Sequence, residues 1–110
     1  MNIGSDITVG SVQKSWDLFA EAMELMPRGT VTMSKAPKPW LEGVGPVYAV
    51  RGQGSHVWDL DGNEYIDYRN ALGPITLGYN VPEITRAVQA QIENGVLFGH
   101  PHPLEVEVAR

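Results

Sequence analysis

At 110 residues the chain has the length of one domain, and 43% hydrophobic with 19% charged residues excludes a disordered polymer. A net charge of −5 with no basic cluster argues against a nucleic-acid or anionic-membrane partner. Absence of cysteine excludes disulfides, thiolate nucleophiles and cysteine-based zinc sites. The first residues, MNIGSDITVGSVQ, lack a basic segment followed by an apolar run, and no stretch of about 18 apolar residues occurs to span a bilayer. The expectation is a soluble cytoplasmic protein.

Residues 1–10 are polar and glycine-spaced, which predicts a flexible lead-in. Ser11 is positioned to cap a helix from Val12 to about Met26, stopped by Pro27. Trp16, Phe19, Met23 and Met26 recur at threes and fours along it and so share one stripe. That stripe is either a docking face for a partner or a face packed on its own domain. From Pro27 to Pro46 the prolines and glycines predict a loop, made locally basic by Arg28, Lys35 and Lys38. It is either a solvated connection or a clasp for an anionic group.

The segment RGQGSHVWDLDGNEYIDY, 51–68, predicts two short strands joined at Asp61-Gly62. Val57, Trp58 and Leu60 on one arm, and Tyr65, Ile66 and Tyr68 on the other, alternate with polar residues. A lone hairpin is marginal in water, so a third strand is expected over Gly45–Val50. Gly73-Pro74 then breaks the chain. The apolar run Ile75–Leu77, ended by Gly78, suggests backbone lying against a ligand or another strand. Asn80 as cap, Pro82 in the first turn and Glu83 as a capping-box partner predict a helix. Its inner face is Ile84, Ala87, Val88 and Ile92, and Gly95 closes it. A last helix starts at Pro103, with no cap, no glycine and barely two turns, so the chain reads as the beginning of a longer polypeptide.

Familiar site chemistries fail on spacing. Asp59-Leu60-Asp61-Gly62-Asn63-Glu64 places its glycine too early for a calcium loop. Gly52-Gln53-Gly54 lacks the lysine and hydroxyl of a phosphate loop and precedes a strand. His100-Pro101-His102 offers two imidazoles without a third ligand, so no metal site is expected. No serine–histidine–acid set or close carboxylate pair is specified, and no catalytic residue is assigned within the chain.

The ordered runs GQGSHVWDLDGNEYIDY, GPITLGYNVPEITRAVQAQIENG and FGHPHPLEVEVA resemble the N-terminal part of class III pyridoxal-phosphate-dependent aminotransferases. Within that family they are most similar to the glutamate-1-semialdehyde aminomutase branch. The resemblance implies an α+β segment of a fold-type I transferase: an N-terminal helix, a small antiparallel sheet and further helices over 11–110. It implies a homodimer in which this segment roofs the active site and contacts the partner subunit. Amino groups would move between an amine or amino acid and a carbonyl acceptor. Pyridoxal 5'-phosphate would be bound mainly by residues outside the chain, since none of Lys14, Lys35 or Lys38 occupies the motif of the family's cofactor lysine.

By the same resemblance, Thr32 and Lys35 fall near the serine and arginine that meet the substrate carboxylate, and Leu72 stands where the aminomutase branch has a tryptophan over the substrate. A lysine gives a point charge where arginine gives a two-pronged fork. Leu72 in place of an aromatic favours a plain aminotransferase, or an unusual amino substrate, over a mutase, and Tyr79 replaces a common histidine. The alternative, from another class, is a stand-alone non-catalytic module that associates through the Trp16–Met26 face.

Overall fold

The computed structural model describes residues 10–110; of the predicted flexible stretch 1–10, all but Gly10 lies outside the described residues. The chain divides into two compact units, Met1–Tyr79 and Asn80–Arg110. In the first, α1 (Gln13–Leu25) is followed by single 3₁₀ turns at Pro27–Gly29, Met33–Lys35 and Pro39–Leu41. Then come strands β1 (Ala49–Gln53), β2 (His56–Asp59) and β3 (Glu64–Ile66).

The strands form an antiparallel meander in the order β1-β2-β3. Gln53 faces His56 across the first turn, and Val57 and Trp58 face Tyr65 and Glu64 across the second. The third strand thus exists but lies later than Gly45–Val50, because Gly52 and Gln53 belong to it. Gly52 and Gln53 pair with Val57 and His56, and the missing side chain at Gly52 leaves room for the Tyr79 ring, which a Cβ there would approach to 2.5 Å. Gly54 and Tyr79 bridge through both backbone bonds, 2.9 and 2.8 Å. Gly78, at φ 90, would bring a Cβ to 2.9 Å from the Gly54 carbonyl oxygen. The close approach expected of this glycine is therefore to another backbone segment. The adjoining Ile75–Leu77 is not a buried run, since Leu77 is exposed.

The turn between β2 and β3 organises the start of α1. Ser11 Oγ accepts from the Gln13 amide, and Val12 at the cap position makes no side-chain cap. Instead the Asp61 carboxylate accepts from the amides of Lys14 at 2.9 Å and Ser15 at 3.0 Å. A carboxylate on orphan amides at a helix start satisfies donors and opposes the positive end of the helix dipole, worth about 1 kcal/mol. Asn63 Nδ2 ties the same turn to the Ser11 carbonyl at 2.8 Å. The predicted local cap is replaced by one from far along the chain.

Apolar burial is sparse: among the described residues the buried hydrophobic side chains are Val12 and Ala22. The α1 stripe is only partly consumed. Trp16 donates its indole N–H to the Gly45 carbonyl at 2.9 Å and meets Phe19 edge-on at 5.7 Å. Phe19 lies against Gly29. Leu18, Met23 and Leu25 remain exposed.

In the second unit, α2 (Pro82–Asn94) begins with Pro82 but not with an asparagine cap. Val81 holds the cap position without a side-chain bond, while Asn80 Oδ1 accepts from the Thr85 hydroxyl at 2.9 Å. The capping box also fails, since Glu83 turns to Arg86 at 3.5 Å. Gly95 does close the helix, at φ 96 with its amide on the Ile92 carbonyl. The predicted inner face is not covered: Ile84, Val88 and Ile92 are about half exposed. α3 (Pro103–Ala109) is capped after all. His102 Nδ1 accepts from the Leu104 amide at 3.1 Å and the His102 amide donates to Glu105 Oε1 at 2.9 Å. No helix among the described residues is long and apolar enough to cross a membrane.

Candidate substrate-side site

Chemistry-bearing groups collect where the chain leaves β3. Asp67 accepts from the Arg69 amide at 2.7 Å, the Asn70 amide at 3.1 Å and the Tyr79 hydroxyl at 2.6 Å. These donors, the tyrosine first, hold its carboxyl below the usual carboxylate range, and the Tyr79 phenol is pushed up in return. From this anchor the chain takes a left-handed turn, with φ of 54, 47 and 66 at Asn70, Ala71 and Leu72 before Gly73 at 127. Left-handed backbone costs a residue with a side chain roughly 1–2 kcal/mol. Two bonds close the turn, Leu72 N–H to the Arg69 carbonyl at 3.0 Å and Gly73 N–H to the Asn70 carbonyl at 2.7 Å.

Arg69 reaches from this loop to the basic segment upstream. Its Nη2 donates to the Ser34 carbonyl at 3.0 Å, which fixes the guanidinium over the Met33–Lys35 turn. A cavity of about 140 Å³ lies there, lined by Lys35, Lys38 and Arg69 together with Ser34, Leu41 and Val47. A second cavity of about 290 Å³ shares Pro46, Val47 and Arg69 with the first and adds the rings of Tyr48, Trp58, Tyr65 and Tyr79. Trp58 is held from the other strand by Arg51, whose guanidinium carbon sits 4.2 Å from the ring centre.

Of the three residues assigned to the substrate from sequence, only Lys35 lines the basic cavity. Thr32 lines a separate hollow of about 430 Å³ with Arg28, and its hydroxyl lies 3.3 Å from that of Ser34. Leu72 lines neither cavity and stands 70% exposed on the left-handed turn. The clasp imagined from Arg28, Lys35 and Lys38 is thus divided, with Arg69 taking the place of Arg28. Sequence reasoning missed Arg69 because it sits just past a strand, while the visible basic run lay upstream.

The neighbouring carboxylates are committed to structure. Asp59, 2% exposed, accepts from the Asn63 amide at 2.7 Å, from Asn63 Nδ2 at 2.9 Å and from the Tyr65 hydroxyl at 2.9 Å. Burial pushes its carboxyl up, but these hydrogen bonds outweigh burial and leave it below the ordinary value. Burial, followed by the Asp59 bond, pushes the Tyr65 phenol up to about 12. Asp61 is spent on α1, so the Asp59–Glu64 run is a helix anchor. His102 is likewise spent on capping α3, its ring stacked on Phe98 at 5.7 Å. Among the described residues no three of His, Asp and Glu gather as metal ligands.

The family described as "Aminotransferase class-III" matches residues 41–108. A glutamate-1-semialdehyde 2,1-aminomutase from Exiguobacterium is 45% identical over 96 residues, covering 87% of this chain and 22% of its own length. Among solved structures, a transaminase with PLP bound superposes at a TM-score of 0.75 with 38% identity, covering 87% of this chain and 22% of its own. An omega-transaminase from Sphaerobacter thermophilus gives a TM-score of 0.71 at 29% identity, covering 96% of this chain and 22% of its own. The chain therefore spans about a fifth of these relatives. The match with the family extends from the last residue of the 3₁₀ turn before the sheet into α3, the same stretch that carries the Asp59–Tyr65 anchor and the Asp67 loop, and the chain belongs to the class III aminotransferase family.

Proposed function

We propose that this chain is the N-terminal segment of a pyridoxal-phosphate-dependent enzyme that moves an amino group between an amine or amino acid and a carbonyl acceptor. In it the segment supplies the substrate-side lid and part of a homodimer contact, in the cytoplasm. The observation that carries the reading is the family match over 41–108 within relatives about five times longer. The sparse burial supports the contact role. Leu18, Met23 and Leu25 on α1, and Ile84, Val88 and Ile92 on α2, are apolar surfaces of the kind that subunit and domain contacts cover.

Residues of this chain do not by themselves fit the cofactor. Lys14, Lys35 and Lys38 are all exposed, and Lys35 and Lys38 share their cavity with Arg69 but with no carboxylate to meet a pyridine nitrogen. The acids lining the adjoining cavity, Asp59 and Asp67, are already filled by donors. No chemical step is therefore assigned to these residues, and the cofactor would be held by parts of the polypeptide outside 1–110. What this segment offers is a basic cavity beside an aromatic one, suited to orienting a substrate that carries an anionic group. Leu72, without a ring to lay over a substrate, favours the aminotransferase over the mutase. A stand-alone module joined through the Trp16–Met26 stripe accounts less well for Trp16 and Phe19, which already pack on Gly45 and Gly29.

The test is reductive trapping. The 110-residue chain and a polypeptide of the relatives' full length that includes it are each mixed with pyridoxal phosphate, reduced with borohydride and mapped by peptide mass. The expected adduct is on a lysine outside residues 1–110, and on none in the short chain. A stoichiometric adduct on Lys14, Lys35 or Lys38 would overturn the assignment.

A further inference from the structure

The basic cavity has an uneven charge inventory. The chain carries 13 acidic residues against 8 lysines and arginines, yet Lys35, Lys38 and Arg69 line one space of about 140 Å³ with no acid in its walls. None of the three forms a salt bridge with a carboxylate among the described residues, where Arg86 meets Glu83 at 3.5 Å. Asp67 is the acid nearest in sequence, and the Arg69 charge helps to lower its carboxyl, but its hydrogen bonds are taken up by the Tyr79 hydroxyl and by the amides of Arg69 and Asn70. Like charges brought together repel; the charge of Asp67, outside the walls of this cavity, offsets only part of that, and the arrangement is relieved further when an anion enters.

The three cations are not equivalent. Lys35 and Lys38 are flexible point charges on exposed loop. Arg69 is a planar fork held at both ends: its backbone amide is on Asp67, and its Nη2 is on the Ser34 carbonyl. A guanidinium fixed by one nitrogen keeps its other N–H groups for a ligand, in the planar geometry that matches a carboxylate. We propose that Arg69 is the specificity-determining residue of this segment, reading a substrate carboxylate in the cavity it shares with Lys35 and Lys38. It supplies the two-pronged contact that Lys35 cannot make. The adjoining cavity continues from Arg69 past Val47 to Tyr48, Trp58 and Tyr79, so the acid preferred carries an apolar or aromatic body beside its carboxylate. This inference rests on the aminotransferase reading.

The experiment compares paired amino donors, an arylalkyl amino acid and the same amine without its carboxylate, on the cofactor-loaded full-length enzyme. The quantity read is the ratio of kcat/KM for the two donors, and cofactor content is measured alongside by absorbance after alkaline release. Arg69→Lys, which keeps the charge and removes the fork, is expected to lower the carboxylate preference about tenfold, as loss of a charge-assisted contact does. Lys38→Gln, which removes a charge but no bond to backbone, is expected to lower it less and guards against misfolding of the arginine variant. An unchanged ratio in Arg69→Lys with full cofactor content would overturn the role of Arg69 and leave the enzyme assignment standing. Absence of cofactor from the unaltered enzyme would instead overturn the enzyme assignment, and this inference with it.

Discussion

Asp59 and Asp67 perform the same local task under opposite conditions. Each organises a loop next to a β-strand, and each accepts a tyrosine hydroxyl, Tyr65 at 2.9 Å and Tyr79 at 2.6 Å. Asp59 is buried and its loop spends every polar group on structure: Asn63 fills the carboxylate, and Asp61 reaches out to cap α1. The residue that must take a positive φ there is a glycine, Gly62 at 93. Asp67 stands nearer solvent, and the residues beyond it that take positive φ include Asn70, Ala71 and Leu72. One loop is relaxed and closed, the other strained and open. Strain of this kind persists only where surrounding bonds over-determine it, here the bonds of Asp67 to the amides of Arg69 and Asn70.

The largest test of that contrast is Asp59→Ala. Removing the carboxylate leaves the Asn63 amide, Asn63 Nδ2 and the Tyr65 hydroxyl without an acceptor in a site 2% exposed. Each buried unsatisfied donor costs roughly 1–3 kcal/mol, less where water can enter, so a loss of about 3 kcal/mol is expected in urea unfolding. Loss of α1 helicity by circular dichroism should accompany it, since Asp61 and Asn63 hold that helix from the same turn. A loss below about 1 kcal/mol would mean that the turn does not anchor α1. The pH signs follow from the shifts. Asp59 lies below its unfolded value, so its contribution is present above that value and disappears as pH falls through the folded one. Tyr65 is raised from 10.0 to about 12, so its share is complete below 10.0 and is lost as pH rises through about 12.

Period and turn chemistry made much of this visible in the sequence. The helix before Pro27, the strands on either side of Asp61-Gly62, the helix from Pro82 to Gly95 and the start at Pro103 all follow from neighbours along the chain. What was not visible depends on residues far apart. The cap of α1 comes from Asp61, so a search for a local cap settles on Ser11. The first strand runs on through Gly52 to pair with β2, and the ring that lies on this glycine belongs to Tyr79, a fact held in no window around Gly52 itself. His102 caps α3 through its ring nitrogen, which no usual capping preference anticipates. At the candidate site, Lys35 is expected from the resemblance, and that Arg69 lines the same cavity depends on its bond to the Ser34 carbonyl, 35 residues back along the chain.

The open loop can be loosened more gently. Tyr79→Phe deletes the hydroxyl that contributes most to lowering the Asp67 carboxyl while keeping the ring on Gly52. The Asp67 carboxyl is then expected to titrate at higher pH, followed by its side-chain carbon in NMR. In the unaltered protein the ordering of 67–73 is present above the unfolded carboxylate value and is lost as pH falls through the lower folded one, whereas the variant loses it at higher pH. If the Asp67 titration does not move, the 2.6 Å bond is not what sets it.

Leu72→Gly carries the smallest effect and separates strain from packing. Leu72 sits at φ 66 and is 70% exposed, so glycine gives up little burial there. Relief of left-handed backbone is worth roughly 1–2 kcal/mol, against about 0.4–1 kcal/mol of extra unfolded-state entropy from the glycine. The net is a gain of about 0.5 kcal/mol, near the resolution of paired denaturation curves. A glycine in the closed loop's place of comparison, Asn63→Gly, must go the other way, because Asn63 supplies bonds to Asp59 and Ser11 that glycine cannot make. Opposite signs for the two substitutions are the signature of one loop built to hold and another built to be held. If Leu72→Gly destabilises instead, its side chain is packed, and the turn is not a reservoir of strain.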